Sequence, residues 1–190
     1  MKKFIFIIAV LFTATGLMAQ SHYKVDPMHT SVNFKVKHMG ITFVAGKFDK
    51  FDGGVIGSLD NLEGARVFFN VETSSVNTSV QMRDDHLRSA DFFEVEKFPA
   101  MTFESTSIEK VDDEKYKLNG KLQIKDVTKD VTFDVVYGGV VKGEDGSETA
   151  GFIAKNKINR LDYNVAYDPD GAGIGKEVAI TLFLEFKSAQ

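Results

Sequence analysis

Residues 116–125 read YKLNGKLQIK, and their alternation decides the fold. Tyr116, Leu118, Leu122 and Ile124 share one parity; Lys117, Lys121 and Lys125 share the other, with Lys115 just before them. Successive side chains of an extended strand point to opposite faces. The spacing therefore predicts a strand with one apolar and one solvated side.

The same pattern recurs outward in both directions. In VTFDVVY, Val131, Phe133, Val135 and Tyr137 alternate with Thr132, Asp134 and Val136. In SVNFKVKH, Val32, Phe34, Val36 and His38 oppose Ser31, Asn33, Lys35 and Lys37. ARVFFNVE and EVAITLFLEF read alike, and FDGG, SLDN, GEDGS and DPDGAGIG supply turns between the runs. About eight to ten strands and one short helix follow from this pattern. No strand–helix–strand alternation appears, so the class is all-β and the sheet antiparallel. Such a sheet either folds into a sandwich or closes into a barrel. A barrel of about eight strands is filled by side chains or holds one small ligand.

Composition bears on that choice. The chain has 17 Phe and no Trp, and three of the Phe lie before residue 20. Phenylalanine has no polar handle, so a wall of it is dry and chemically unselective. Phe34, Phe103, Phe133 and Phe152 all fall on inward parities. An ordinary Phe-rich core and an apolar ligand channel are both consistent with that.

The first residues stand apart. Lys2 and Lys3 precede an apolar run from Phe4 to Phe12, then small residues and Ala19-Gln20. This is the charged start, short apolar stretch and small-residue exit of a secretory signal peptide, with cleavage expected after Ala19. The expected localisation is periplasmic. Cleavage would leave 190 − 19 = 171 residues as one domain spanning 20–190, enough for a sizeable core. Loss of the two lysines leaves 21 − 27 = −6 in formal charge. No basic stripe for nucleic acid is visible, and docking on lipid by net charge is disfavoured. There is no cysteine, hence no disulfide and no thiol chemistry.

One stretch breaks the strand pattern. RDDHLRSADFFEVEKFP, Arg83 to Pro99, packs charges and a histidine ahead of adjacent phenylalanines. On helical spacing Met82, His86, Ala90 and Phe93 share a face, which predicts a short helix lying over a barrel end. Phe92 and Phe93 would plug or line the mouth. His38 and Arg160 have inward parity, Arg160 with Phe152, Ala154 and Ile158. A buried guanidinium needs partners; Asp162 is two residues on, and Asp84, Asp85 and Asp91 lie in the lid. Two readings are open. Arg160 pairs with a carboxylate and pins the lid, or Arg160, Arg83 and His86 receive an anionic head group.

Other chemistry lacks support. The histidines have no metal-ligand spacing, no serine sits in a nucleophile motif, and DGAGIG lacks the lysine of a phosphate loop. No metal, cofactor or catalytic residue is assigned.

Several segments come in an order that resembles the YceI-like family of periplasmic polyisoprenoid-binding proteins. They are YKVDPMHTSVNFKVKHMGITFVAGKFDKFDG, SVNTSVQMRDDHLRSADFFEVEKFPAMTFES, LNGKLQIKDVTKDVTFDV and GFIAKNKINRLDYNV. Arg83-Asp84-x-His86-Leu87-Arg88-Ser89 with Asp91-Phe92-Phe93, and Asn159-Arg160-x-Asp162, are the specific signatures. The likeness covers about Ser21 to Lys187. It implies a lipocalin-like antiparallel barrel with an elongated apolar channel for a long lipid, isoprenoid or fatty-amide-like, without catalysis. Tyr23 and Thr30 are conservative departures; Lys125-Asp126 replaces a hydroxyl and a glycine and puts that turn in question. The competing functions are an enzyme acting on such a lipid, with His86 as acid or base and Arg160 steadying an anion, and a filled structural barrel. A homodimer stays open.

Overall fold

The computed structural model describes residues 21–59 and 62–188; the leader expected at 1–19 lies outside the described residues. In chain order the elements are β1 (His22–Val25), β2 (Ser31–His38), β3 (Thr42–Phe48), β4 (Phe51–Ile56), β5 (Arg66–Glu72), β6 (Val76–Asn77), α1 (Gln81–Arg88), β7 (Ala100–Lys110), β8 (Lys115–Ile124), β9 (Val127–Lys142), β10 (Glu148–Asn159) and β11 (Ile174–Ser188). The alternation in YKLNGKLQIK is realised in β8. Tyr116, Leu122 and Ile124 are buried, Leu118 is half-buried, and Lys117 and Lys121 are exposed.

Every strand pairing is antiparallel. The order runs β1-β4-β5-β7-β8-β9-β10-β11, and β11 pairs back onto β1, which closes an eight-stranded barrel. Closure, not a sandwich, is the outcome. β11 carries two partners along one edge: Val25 faces Phe186, and Val32 faces Leu182. Thus β1 and β2 follow one another along the same neighbour, broken only by the Asp26–Thr30 turn. Register shifts at Ser105/Ser107, Gly151/Phe152 and Ile174/Val178 mark bulges, which add twist and let long strands curl shut.

Two inward glycines make room for rings. A Cβ on Gly120 would lie 2.4 Å from Phe103 Cζ and 2.5 Å from the Glu104 carbonyl oxygen. A Cβ on Gly46 would meet Phe34 Cζ at 2.4 Å. Each glycine therefore lets a phenyl ring lie flat across the neighbouring strand.

The barrel interior has a filled end and a hollow one. Leu59, Val55, Ala150 and Phe186 are almost wholly buried at the filled end. Phe152 packs there, stacked on Tyr137 at 5.2 Å and edge-on to Phe186 at 5.9 Å. Each such aromatic burial contributes about 1.5–3 kcal/mol.

The questioned turn at Lys125-Asp126 is built another way than the lysine pattern predicts. Lys125 adopts φ 54° and is buried. Its ammonium donates to the Asn164 carbonyl at 3.2 Å and lies 3.6 Å from Glu94 Oε2. The strain of a left-handed lysine is met by a cation that fastens two loops.

Candidate functional site

The hollow end is a cavity of about 810 Å³. Its wall is aliphatic and aromatic: Phe34, Phe103 and Phe133 face it, as do Leu122, Ile180 and Leu182. Three of the four inward phenylalanines expected in a channel thus line it. Phe152 does not; it borders a separate pocket of about 40 Å³ toward the filled end. Val67, Leu118, Ala154 and Leu184 touch both spaces and form the partition. Parity gave the correct face for Phe152, but height along the barrel decided which space it meets.

The helix does cover the mouth, and Met82, His86 and Phe93 of the expected face line the cavity, although the helix itself is shorter than expected. α1 ends at Arg88, where the Ser89 amide and hydroxyl both donate to the His86 carbonyl, at 3.1 and 2.8 Å. Ala90 and Phe93 therefore lie beyond the helix, and Met82 is 82% exposed. The buried helical residue is Asp84, which the periodicity did not mark because a charge counted against burial. Its Oδ1 accepts from the Thr78 amide at 2.8 Å and the Thr78 hydroxyl at 2.5 Å. The same hydroxyl accepts from Arg83 Nε at 2.7 Å, and Arg83 Nη2 donates to the Thr78 carbonyl at 2.9 Å. Arg88 donates to the carbonyls of Ser74 and Val76 at 2.7 and 2.9 Å. Most of the polar knot therefore fastens the helix to the segment before it.

Phe92 and Phe93 both line the cavity. Phe93 meets Phe48 edge-on at 5.7 Å. Phe92 meets His86 at 5.0 Å and Tyr167 at 5.1 Å. Tyr167 was not singled out by its sequence, which places it in a turn-rich run.

His86 sits at the rim with its side chain 42% exposed, its Nε2 2.9 Å from Asp91 Oδ2. His38 lies opposite, also exposed, at the end of β2. Arg83 borders the cavity, and its Nη1 has no hydrogen-bond partner among the described residues.

Arg160 lines the cavity as its inward parity predicts, but its guanidinium pairs with none of the expected carboxylates and leaves no N–H free. β10 stops at Asn159, so Arg160 opens a 3-10 turn in place of continuing the strand. It is 4% exposed and donates all five of its N–H groups to main-chain carbonyls. Nε reaches Gly175 at 3.0 Å; Nη1 reaches Val165 and Tyr167 at 2.8 and 2.5 Å; Nη2 reaches Asp168 and Ile174 at 2.7 and 2.9 Å. None of the expected carboxylates is its partner. Asp162 instead lies 3.5 Å from Lys129 Nζ. Burial lowers the arginine's pKa, which the charge of Asp168 opposes. Asp168 is itself held below its ordinary value by the amides of Ile174 and Gly173, which donate to Oδ2 at 2.7 and 2.8 Å. Arg160 is the hub of the 165–174 strap.

The grouping among the described residues that suits a metal is Asp26, His29 and Glu185, on the outside of the barrel. Lys187 Nζ already lies 2.5 Å from Asp26 Oδ2, so a cation of the chain's own fills that role. The hydrogen bonds from His29 and then Lys187 lower the Asp26 pKa strongly.

Comparison with known proteins agrees with the architecture. A family model described as YceI-like domain matches residues 23–186. Protein YceI of Salmonella arizonae is 38% identical, the match covering 93% of each chain. The crystal structure of the Campylobacter jejuni YCEI protein superposes with a TM-score of 0.75 at 34% identity, covering 81% of this chain and 90% of that one. Burkholderia cenocepacia BcnA gives 0.76 at 25% identity, over 85% and 98%. A polyisoprenoid binding domain from Saccharophagus degradans, implicated in plant cell wall breakdown, shares the fold with a TM-score of 0.68 at 15% identity, over 88% and 98%.

Proposed function

The chain belongs to the YceI-like family, and from that premise we propose that it carries or sequesters one long apolar lipid inside the barrel, in the periplasm and without catalysis. The cavity carries this reading. An apolar cavity of about 150 Å³ is enough for a benzene ring, so 810 Å³ has room for roughly five such rings, or about thirty carbon atoms. A wall of Phe, Val, Leu and Ile rewards any hydrocarbon of suitable girth at about 0.8 kcal/mol per buried methylene, before the costs of association. It has no means of reading one chain from another. A branched polyprenyl chain fits those terms, in keeping with the chemistry ascribed to the Saccharophagus degradans domain.

Selectivity falls to the rim. Arg83 supports a head-group contact because it borders the cavity and its Nη1 has no hydrogen-bond partner among the described residues. Arg160 offers no free donor, which weighs against an anion-steadying role in an enzyme. The periplasmic address rests on Lys2, Lys3 and the apolar run to Phe12.

The test is extraction of protein purified from its native periplasm, followed by mass spectrometry. A long-chain lipid should accompany it in near-equal amount, and N-terminal sequencing should begin at Gln20. Stripped protein that takes up neither an apolar fluorescent probe nor a polyprenol would overturn the carrier reading. Phosphate release from a prenyl diphosphate would replace it with an enzyme.

A further inference from the structure

We propose that the rim of the cavity mouth docks on a lipid bilayer bearing anionic head groups, so that the lipid passes between membrane and barrel without crossing water. The proposal rests on the carrier reading above, and it stands on the distribution of exposed side chains at the two barrel ends.

At the mouth, the tip of the β2–β3 hairpin is apolar and projects. Met39 and Gly40 take φ 48° and 73°, and the Ile41 amide closes the turn onto the His38 carbonyl at 3.1 Å. Met39 is 61% exposed, Ile41 84% and Phe43 56%. Across the opening, Val80 and Met82 at the start of α1 are 46% and 82% exposed. Both banks belong to one opening, because Lys37 and His38 line the cavity together with Val80 and Met82. Single exposed apolar residues need no explanation, but a cluster ringing one aperture does. This cluster runs on without a break into an apolar interior, which a bilayer matches better than a protein surface does.

Charge points the same way. From Pro27 to Phe48 there is no Asp or Glu, yet Lys35, Lys37 and Lys47 lie there in a chain of net charge −4. Lys47 is engaged by Asp49 at 2.7 Å. Lys35 and Lys37 form no ion pair among the described residues, and Lys35 Nζ lies 5.1 Å over the Phe43 ring. At the opposite end, the β7–β8 hairpin carries Asp112, Asp113 and Glu114, and the β9–β10 hairpin carries Glu144 and Asp145. The β2–β3 bank of the mouth thus presents these two lysines beside apolar groups, while Asp85 and Asp91 on the opposite bank are met by Arg88 and His86. The far hairpins are acidic, with Asp112 and Asp113 met by Lys115 and Lys110. An anionic surface attracts the β2–β3 bank and not the acidic far hairpins, which turns the mouth toward the membrane. Apolar side chains then enter the head-group region and lysine stems reach phosphate. Net charge argues against lipid docking; the acid-free β2–β3 bank reverses that conclusion where it lies.

The experiment is flotation of the mature protein with vesicles of phosphatidylethanolamine and phosphatidylglycerol, and with vesicles of phosphatidylcholine alone. The rim variant is Met39→Asp with Ile41→Asp, neither of which lines the cavity. The control is Val111→Asp with Val141→Asp, 59% and 72% exposed at the far end. Wild type and control should float with anionic vesicles. The rim variant should lose about tenfold or more in partitioning, while uptake of an apolar probe in buffer stays unchanged in all three. Failure of wild type to float on anionic vesicles, or flotation of the rim variant equal to wild type, would overturn the docking surface. Equal binding to neutral vesicles would overturn its anionic preference. A wild-type dimer that the rim variant converts to monomer, without vesicle binding, would assign the rim to a second copy instead. Loss of probe uptake in wild type would count against the carrier reading alone, since flotation is measured separately.

Discussion

Tyr167 stands edge-on to His86, ring centroids 4.9 Å apart and planes at 82°, and through this contact the strap after Arg160 meets the lid. The Tyr167 carbonyl accepts from Arg160 Nη1 at 2.5 Å. Arg160 thus acts on the mouth at one remove: it fixes the backbone whose ring supports His86 and Phe92. Arg160 also borders the cavity, but with all five N–H groups spent on carbonyls it has no donor left for a head group.

Arg160→Ala should therefore lower stability by about 3–5 kcal/mol, because five carbonyls lose their donors in a buried strap. Arg160→Lys should rescue little, since one ammonium cannot reproduce the planar fork. Urea unfolding measures both. In the folded fraction, affinities for a prenyl diphosphate and a prenyl alcohol should fall together. A loss confined to the diphosphate would show that Arg160 reads the head group after all.

Arg83→Gln separates the other reading. Glutamine can still reach Thr78 but carries no charge. Binding of a prenyl diphosphate should weaken about tenfold, equivalent to about 1.4 kcal/mol, and that of the alcohol should hold. Parallel titrations of the two lipids on one protein preparation decide it.

The two phenylalanines of equal parity should behave differently. Phe103→Asp places a carboxylate in the cavity wall and should abolish uptake of an apolar probe. Phe152→Leu, facing the small pocket, should cost less than about 1.5 kcal/mol and leave uptake near wild type. Fluorescence titration with circular dichroism on each variant checks both statements.

Gly120→Ala should destabilise the barrel by about 1–3 kcal/mol. The Phe103 ring can swing into the cavity, but the Glu104 carbonyl cannot yield without moving β7. A ring displaced inward should also weaken probe binding, a joint loss that calorimetry and titration would record together.

Acid stability should depend on Asp26. Its folded pKa is depressed, first by the hydrogen bond from His29 and then by that from Lys187. The unfolded chain binds this proton near the ordinary value of about 3.9. Its contribution is therefore complete above that value and is lost as pH falls toward the folded one. Urea midpoints of wild type should drop steeply below about pH 4, and Asp26→Asn should be less stable near neutrality with a flatter acid limb. Identical slopes for the two would remove Asp26 from the account.

Much of this molecule is legible in its sequence because period-two alternation is local. The faces of β8 and β9, the antiparallel class and the aromatic interior follow from neighbours two residues apart. The lid was also legible, since RDDHLRSADFFEVEKFP breaks that period. Its buried side was not: Asp84 looks like a surface charge until Thr78 offers it two donors.

What the tertiary structure alone decided is set by residues far apart in the chain. Closure depends on the first strand finding the last, Tyr23 against Ser188, a pairing no local pattern contains. Arg160 carries inward parity in the sequence, yet the strand ends one residue earlier and the strap folds back to surround it with carbonyls. Asp162, two residues on, meets Lys129 instead, and five convergent main-chain oxygens satisfy the guanidinium without adding a second buried charge. Likewise Phe103 and Phe152 share a face and differ only in height along the barrel. That height, fixed by the strand register, leaves one ring against open space and the other inside the core.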